Sequence, residues 1–189
     1  MVGEIHKSKV NLGGFNSSIG LDRGAGKLKE ISWYLIKTVF FLSALPYPNA
    51  LKCGLLRLFG AKVGTGVNIK PRVNIHFPWK LILGNDVWIG EEAFLLNFEP
   101  LRVGNDVCIS QRAFLCGGNH DFRVPEMPYR NGPITLMDGA WVGASVFVSP
   151  GVTIGTDTVV TAGSVVTGNL ASNGIYKGNP AVYIKQRWS

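Results

Sequence analysis

The sequence lacks several features that would assign it to particular classes of protein. Its longest apolar run, residues 33–45, spans 13 positions and contains Lys37 and Ser43, whereas a helix that crosses a bilayer needs about 20. The N-terminus has no apolar core of the kind found in signal peptides, so we expect no secretory signal. Proline is scarce, at 10 of 189 residues, which excludes collagen-like and other low-complexity sequences.

Cysteine is also scarce, and its spacing excludes two kinds of site. Cys53, Cys108 and Cys116 are scattered and odd in number. They form neither a disulfide framework nor a zinc-binding pattern. We therefore expect a reducing compartment, the cytoplasm, and no metal site.

Positive charge is confined to the first third of the chain. Residues 1–62 hold nine Lys and Arg against three Asp and Glu, a net charge of +6, whereas residues 63–189 carry a net charge of +1. This basic segment is either a solvated surface or a surface attracted to anionic lipid or to a phosphate-bearing substrate. The sequence has no aromatic pattern or recognition helix typical of nucleic-acid binding, so no nucleic-acid partner is expected.

Residues 1–62 are predicted to form an N-terminal arm and helical segment. Residues 1–28 are rich in Gly, Ser and Asn and indicate a loop or arm. Helices are predicted over 29–45, ending before Pro46, and over 49–59, with Asn49 as the candidate cap. The apolar faces of these helices would either cover the open end of a β structure or lie on a membrane surface.

From residue 63 a six-residue repeat dominates the sequence. Aliphatic residues recur at every sixth position, with two-residue shifts next to Pro78 and Pro100 and one long interruption. Small or β-branched residues recur four positions after the aliphatic ones. The aliphatic positions are Val63, Ile69, Ile75, Leu81, Leu83, Ile89, Leu95, Leu101, Val103, Ile109, Leu115, Leu136, Val142, Val148, Ile154, Val160 and Val166.

A period of six indicates a short strand followed by a tight corner. Three such units make a triangular coil, and each coil buries its inner face by stacking on the next one at about 4.8 Å. The repeat therefore predicts a parallel β-helix of about five coils over residues 63–169, with a C-terminal extension over 170–189. The polar interruption predicts a protruding loop over 117–133. The period leaves the hand of the coil open.

Three groups of residues give the sequence a family resemblance. They are the repeats themselves, the segment VCISQRAFLCGGNHDF (107–122), and GNPAVYIKQR (178–187). Together they resemble the hexapeptide-repeat acyltransferases, and more narrowly the acetyltransferases of colanic acid and related exopolysaccharide synthesis. The resemblance implies an all-β fold, a left-handed parallel β-helix of hexapeptide repeats preceded by an apolar helical segment. It also implies a homotrimer with active sites between subunits, acetyl-CoA as co-substrate and a carbohydrate acceptor.

His120, in the predicted loop, is the candidate general base. Acyl transfer from a thioester to a hydroxyl needs a base that titrates near neutral pH, and histidine does so. The resemblance places His120 at the family's catalytic histidine and Ala144 at the backbone N–H that holds the oxyanion. Transfer would be direct. A Cys116–His120 nucleophilic pair is the less favoured alternative, because the repeat places Cys116 on the outside of the coil.

The resemblance also assigns the binding residues. Ala144, Ala162, Gly163, Thr167 and Lys185 match the family's cofactor groove, although Gly168 replaces a lysine found in many relatives. Asn97, Asn119 and Asp121 are the candidate acceptor contacts. Corner packing is the alternative role for the small residues and for Asn97.

The sequence leaves other functions to be weighed against O-acetylation of a sugar. N-acetylation of an amino sugar would use the same groups. A non-enzymatic β-helix scaffold would have no need of the loop that carries His120. A carbonic anhydrase of the γ class would need three zinc-binding histidines, and the three in this chain, at 6, 76 and 120, lack that spacing. Peripheral contact with the inner face of a membrane is a further hypothesis from the basic, apolar N-terminal segment.

Overall fold

The computed structural model describes residues 8–189 as a triangular β-helix with two helices at its N-terminal end. The helices are α1 (Lys27–Phe40) and α2 (Asn49–Leu58), and single 3₁₀ turns occupy Leu12–Gly14 and Pro78–Lys80. The strands are β1 (Lys62–Val63), β2 (Asn68–Ile69), β3 (Asn74–Ile75), β4 (Leu81–Leu83), β5 (Trp88–Ile89), β6 (Phe94–Leu96), β7 (Leu101–Val103), β8 (Cys108–Ile109), β9 (Phe114–Cys116), β10 (Ile134–Leu136), β11 (Trp141–Val142), β12 (Phe147–Val148), β13 (Thr153–Ile154), β14 (Val159–Val160), β15 (Val165–Val166), β16 (Gly174–Lys177) and β17 (Val182–Gln186).

The strands form three parallel sheets, which are the three faces of the prism. Face A contains β1, β4, β7, β10 and β13; face B contains β2, β5, β8, β11, β14, β16 and β17; face C contains β3, β6, β9, β12 and β15. Every third strand is therefore a neighbour, as the predicted triangular coil requires, and five complete coils result. Only β17 runs antiparallel, against β16.

The interior of the prism is filled by the residues that the repeat singles out. All the aliphatic repeat positions are buried except Val63, which is half-buried in the first coil. The small and β-branched positions are buried as well, including the polar Thr158 and Ser164. The repeat predicts the buried positions because every coil requires apolar or small side chains that face inward.

The corner between faces C and A, called the C–A corner below, accommodates the irregularities of the repeat. The two-residue shift before Leu81 forms the 3₁₀ turn at Pro78–Lys80, and the shift before Leu101 lies at the same corner of the next coil. Residues 117–133, between β9 and β10, leave the prism at the same corner. Insertions at one corner thus leave the stacking of the three faces intact.

The two helices cover the first coil with their inner sides. Trp33, Phe41 and Leu56 are buried in the same apolar core as the prism. The Nε1 of Trp33 donates a hydrogen bond to the Ile75 carbonyl at 3.0 Å. Lys52, which is 1% exposed, donates to the Ile69 carbonyl at 2.9 Å. The open end of the sheet is therefore closed by side chains that satisfy its backbone acceptors.

Both helices differ in detail from the sequence prediction. Helix α1 ends at Phe40 rather than at residue 45, because the next residue, Phe41, turns into the core against Trp33 at 5.2 Å between ring centroids. Asn49 is the first residue of α2 and does not cap it; its Oδ1 accepts a hydrogen bond from the Ile69 N–H at 2.9 Å. The 170–189 segment continues face B through β16 and β17. No helix among the described residues is long and apolar enough to cross a membrane.

Candidate active site

The loop of residues 117–133 is a short antiparallel ribbon with a closed base. The Gly132 N–H donates to the Gly117 carbonyl at 3.0 Å at the base. Further out, Arg130 N–H donates to the Asn119 carbonyl at 2.8 Å, and His120 pairs with Tyr129. Backbone pairing of this kind holds a protruding loop in one shape, so the side chains on it can be placed accurately.

The His120 imidazole is oriented by a backbone carbonyl of the same loop. Its Nδ1 lies 2.6 Å from the Met127 carbonyl oxygen. Because a carbonyl only accepts, Nδ1 carries the hydrogen, and Nε2 of the neutral ring is left as the acceptor. Met127 has a φ of 47°, a left-handed conformation that a non-glycine residue seldom adopts and that aims its carbonyl at the ring.

Aromatic rings hold the imidazole from two sides. Tyr129 stacks on His120 with 4.9 Å between ring centroids, and Phe15 meets the same ring edge-on at 5.6 Å. Phe15 also contacts Tyr129 at 5.4 Å. The three rings form one cluster, so the orientation of the base depends on residues from both the loop and the N-terminal arm.

The N-terminal arm lies across the loop. The Asn11 N–H donates to the Pro125 carbonyl at 2.8 Å, and Asn131 Nδ2 donates to the Gly20 carbonyl at 3.0 Å. A Cβ on Gly20 would lie 2.1 Å from the Tyr129 carbonyl oxygen, and its φ is 77°, so this close approach requires glycine. The sequence predicts no functional residue in the arm, because Phe15 preceded by Gly13 and Gly14 is a weak local signal.

Two of the predicted acceptor residues flank His120 and have partners of their own. The Oδ1 of Asn119 accepts from the His120 N–H at 2.8 Å, and Asn119 itself is exposed. Asp121 forms a two-pronged ion pair with Arg123 at 2.8 and 2.6 Å. The hydrogen bond from Arg123 lowers the pKa of Asp121 to about 2. The carboxylate is thus held by Arg123, and Met127 takes the orienting role that an adjacent acid would have filled.

Asn97, the third predicted acceptor residue, is buried at the C–A corner. It is 2% exposed. Its Nδ2 donates to the Phe77 carbonyl at 2.6 Å, and its Oδ1 accepts from the Phe77 N–H at 2.9 Å. Both polar ends of the amide are therefore engaged by the neighbouring coil, which is the structural role weighed for this residue.

Three of the predicted cofactor residues meet at the corner between faces B and C, called the B–C corner below. Ala144 and Ala162 occupy equivalent positions in successive coils, and the N–H of the next residue, Gly163, donates to the Ala144 carbonyl at 2.8 Å. Ala162, next to Gly163, is exposed. Thr167 follows β15 at the other end of face C, and Lys185 lies exposed on β17. The small residues thus leave the corner open, with Thr167 and Lys185 apart from it.

The structure separates His120 from Ala144 within one chain. His120 lies beyond the C-terminal end of β9, whereas Ala144 precedes the N-terminal end of β12, the neighbouring strand of face C. The two groups therefore lie at opposite edges of one face.

Cys116 does not have the surroundings of a nucleophile. It follows the inward-facing Leu115, as the repeat places it, but it is buried rather than exposed, and its Sγ lies 3.2 Å from the Gly118 carbonyl oxygen. Burial raises the pKa of the thiol, which disfavours the reactive thiolate. Among residues 8–189, no group of three or more His, Cys, Asp and Glu side chains is placed to hold a metal ion.

The chain is similar in sequence to two acetyltransferases of Escherichia coli K12. WcaF of Escherichia coli K12, named as a colanic acid biosynthesis acetyltransferase, is 38% identical over 177 residues, which cover 94% of this chain and 97% of WcaF. The galactoside O-acetyltransferase of Escherichia coli K12 is 29% identical over 142 residues, covering 70% of this chain and 66% of that enzyme.

Solved structures agree with the fold. The hexapeptide-repeat acetyltransferase VCA0836 of Vibrio cholerae, solved in complex with acetyl-CoA, matches with a TM-score of 0.78 and 23% identity, over 86% of this chain and 89% of that one. No family model matches the chain.

Proposed function

The chain belongs to the hexapeptide-repeat acetyltransferases, in the branch that contains WcaF, and from this premise we propose that it transfers acetyl from acetyl-CoA to a sugar hydroxyl in the synthesis of an extracellular polysaccharide. The observation that carries the proposal is the hydrogen bond from His120 Nδ1 to the Met127 carbonyl. With Nδ1 donating in this bond, Nε2 is the ring nitrogen placed to accept a proton, in the loop that interrupts the repeat.

The reaction follows from this geometry by direct transfer. His120 Nε2 takes the proton of the acceptor hydroxyl while the oxygen attacks the thioester carbonyl carbon. The resulting oxyanion is held by a backbone N–H, which we assign to Ala144 of a second copy of the chain. The carbon–sulfur bond then breaks, and the CoA thiolate takes the proton back from His120. The ester and free CoA are the products.

A left-handed homotrimer with active sites between subunits is the assembly that we propose. It is supported by the separation of His120 from Ala144 within one chain. It is supported also by the outward side chains of two faces: Trp88 and Trp141 are 59% and 45% exposed on face B, and Phe94 and Phe114 stack at 4.8 Å on the outside of face C. Apolar rows of this extent are typical of interfaces between subunits. The left hand rests on family resemblance.

The acetyl-CoA groove is proposed at the B–C corner. Ala144, Ala162 and Gly163 leave room there for a narrow pantetheine arm, and Thr167 and Lys185 are proposed as later contacts, with Lys185 facing a phosphate. A bulky residue at Ala162 (Ala162→Phe) should raise KM for acetyl-CoA and leave KM for the acceptor unchanged. Lys185→Gln should raise the same KM less.

Loss of the His120 imidazole is the central test. Measured as CoA release, His120→Ala should lower the rate by roughly 10²–10⁴-fold. Glu126→Gln is the matched control, since Glu126 lies in the same loop and its side chain has no hydrogen bond or ion pair among the described residues. Thermal unfolding of both variants separates chemistry from folding. An undiminished rate in a folded His120→Ala protein would refute the assignment of the base.

The identity of the product separates O-acetylation from N-acetylation of an amino sugar. Asn119 and Asp121 are the proposed acceptor contacts beside His120, with Asn97 held in the coil behind them. Turnover with a panel of nucleotide sugars and lipid-linked oligosaccharides, read by mass spectrometry, should give a product that mild base cleaves, because esters hydrolyse and amides persist. A base-stable product would establish the amine acceptor. No turnover with any acceptor, together with no acetyl-CoA binding, would favour a non-enzymatic scaffold.

Peripheral contact with the inner face of an anionic membrane is proposed for the outer side of α1, with the enzyme in the cytoplasm. Leu28, Ile31, Leu35 and Val39 are 79%, 59%, 62% and 51% exposed and fall on one side of the helix. They belong to the segment that carries the net charge of +6. The protein should co-sediment with anionic vesicles at low salt and be released by high salt. Absence of binding at low salt would remove this proposal.

A further inference from the structure

A cavity of about 290 Å³ lies between α1 and the C–A corner of the first coil, away from the B–C corner. We call it the cap cavity. Its walls include Glu30, Tyr34 and Lys37 from α1, and Phe77 and Trp79 from the coil. The volume is near the lower end of the range for small-molecule sites, about 300–1,000 Å³.

Two polar groups in the cap cavity have unused hydrogen-bonding capacity. The Lys37 side chain is 6% exposed, its ammonium has no hydrogen-bond or ion-pair partner within residues 8–189, and it lies 5.5 Å from the centroid of the Tyr34 ring. Glu30 accepts from Arg23 through Oε2 at 2.6 Å, while its Oε1 is buried without a partner. The cavity therefore holds one buried acceptor without a partner, which is costly to folding unless something binds there, and one free donor.

The rest of the wall is aromatic and rigid. Phe77 and Trp79 stack at 5.0 Å, and the Trp79 Nε1 donates to the Arg23 carbonyl at 2.7 Å, which fixes the indole. Tyr34 forms the outer rim and is 64% exposed. A flat apolar face beside one strong donor and one strong acceptor suits a pyranose ring, which presents a C–H face on one side and hydroxyl groups around its edge.

The charges in the cavity favour a hydroxylated ligand over an anion. His76 also lines the cavity, and burial, together with the nearby positive charges of Lys37 and Arg23, lowers its pKa to about 4, so it is neutral at pH 7. Arg23 is already paired with Glu30. A phosphate bound to Lys37 would face the Glu30 carboxylate, whereas a sugar hydroxyl can donate to Glu30 and a second hydroxyl can accept from Lys37.

A row of rings links the cap cavity to the base. His76 contacts Phe98 at 4.8 Å, Phe98 contacts Tyr129 at 5.6 Å, and Tyr129 stacks on His120 at 4.9 Å. The cavity is thus two rings removed from the imidazole. That separation is too large for the reacting hydroxyl and suits a neighbouring unit of the same saccharide.

We infer that the cap cavity binds a pyranose unit of the acceptor that is not itself acetylated, so that the acceptor is a saccharide of at least two units. The inference rests on the proposed function for its link to acetylation. Lys37 donates to one hydroxyl, Glu30 Oε1 accepts from another, and the exposed Tyr34 ring contacts the sugar face, with Trp79 behind it held between Phe77 and Lys29. Residues of α1 at the first coil would thereby make binding of the acceptor depend on its length.

Direct binding tests the cavity without relying on catalysis. Saturation-transfer-difference NMR without acetyl-CoA should detect methyl glycosides of glucose, galactose or mannose on the wild type and on His120→Ala. Lys37→Met and Tyr34→Ala should each weaken binding by roughly tenfold or more, since each removes a principal contact. Lys27→Met, an exposed position on the same helix, is the matched control and should bind as the wild type does. Binding that is unchanged in folded Lys37→Met and Tyr34→Ala proteins, or no binding of any glycoside, would overturn the inference.

A stability measurement covers the case in which a variant folds poorly. Because burial of its side chain lowers the pKa of Lys37 and so disfavours the charged form, Lys37→Met should raise the Tm of the free protein, and the glycoside should raise the Tm of the wild type but not of the variant. A fall in Tm on Lys37→Met would show that the ammonium serves the fold. Inorganic phosphate that displaces the glycoside and binds more tightly would overturn the sugar assignment.

Kinetics then separate this inference from the proposed function. For a di- or oligosaccharide acceptor, Tyr34→Ala should raise KM with little change in kcat, and for a monosaccharide it should change neither. If His120→Ala keeps its activity while Lys37→Met still weakens glycoside binding, the proposed base is wrong and the cavity assignment stands. If His120→Ala is inactive and Tyr34→Ala leaves oligosaccharide KM unchanged, the cavity assignment is wrong.

Discussion

The prism and the N-terminal segment use their side chains in opposite ways. In the prism any aliphatic residue serves at an inward position, and the same position recurs through five coils. In residues 8–58 individual side chains make specific contacts that do not recur: Phe15 against His120, Lys52 against the Ile69 carbonyl, Lys37 in the cap cavity. The repeat supplies a rigid body of fixed dimensions, and the parts that depart from it carry the proposed chemistry.

Truncation of an interior residue should have the largest effect on the prism. Ile109, in the central coil, is fully buried, so Ile109→Ala should lower the free energy of unfolding by about 2–5 kcal/mol through lost burial and a residual cavity. Urea unfolding measures it. Ile109→Val is the matched control and should cost about 0.5–1.5 kcal/mol. Equal costs for the two variants would mean that the interior relaxes around the gap, contrary to a rigid stack of coils.

Acid should weaken the junction between the N-terminal segment and the prism. His76 has its pKa lowered from 6.5 to about 4, chiefly by burial. Between these values the unfolded chain binds the proton and the folded chain does not, so the free energy of unfolding falls as pH drops from about 6.5 towards 4. The full effect is about 3 kcal/mol. The difference in free energy of unfolding between the wild type and His76→Gln, measured from pH 7 to pH 4, isolates the contribution of His76. Parallel pH profiles for the two proteins would contradict this prediction.

The sequence predicts the prism well because burial acts on classes of side chain. A period of six is visible wherever an inward Ile, Leu or Val is required, so strand positions, corners and the loop at 117–133 follow from counting. The geometry of the candidate site is harder to predict from the sequence. The hydrogen-bond partner of His120 is the backbone carbonyl of Met127. Every residue type has a backbone carbonyl, so the sequence does not indicate which one is used. The clasp of the arm over the loop joins Gly20 to Tyr129, more than a hundred residues away, and no local pattern encodes that contact.

Substitution of Asn97 tests whether this residue stabilises the fold or contacts the acceptor. Its amide bonds both backbone groups of Phe77 in a buried position, so Asn97→Ala should lower the free energy of unfolding by about 1–3 kcal/mol. Asn85→Ala is the matched control: Asn85 makes an equivalent contact to the preceding coil, at 2.9 Å from the Thr65 N–H, but on the surface. That variant should cost less than about 1 kcal/mol. A rise in acceptor KM on Asn97→Ala with stability unchanged would instead restore the predicted acceptor contact.

Substitutions on the exposed side of α1 should have the smallest effect on stability, in contrast to substitutions in the interior of the prism. Leu35 is as apolar as any leucine of the prism yet 62% exposed, so Leu35→Ser should change the free energy of unfolding by no more than about 0.5 kcal/mol. Leu95→Ser, at a fully buried position of the second coil, is the contrasting variant and should be severely destabilised, because it combines a cavity with a buried hydroxyl. Unfolding should be measured at two protein concentrations. If Leu35→Ser proves costly and its cost grows with concentration, the outer side of α1 is buried against another copy of the chain, and the membrane proposal gives way to a contact between subunits.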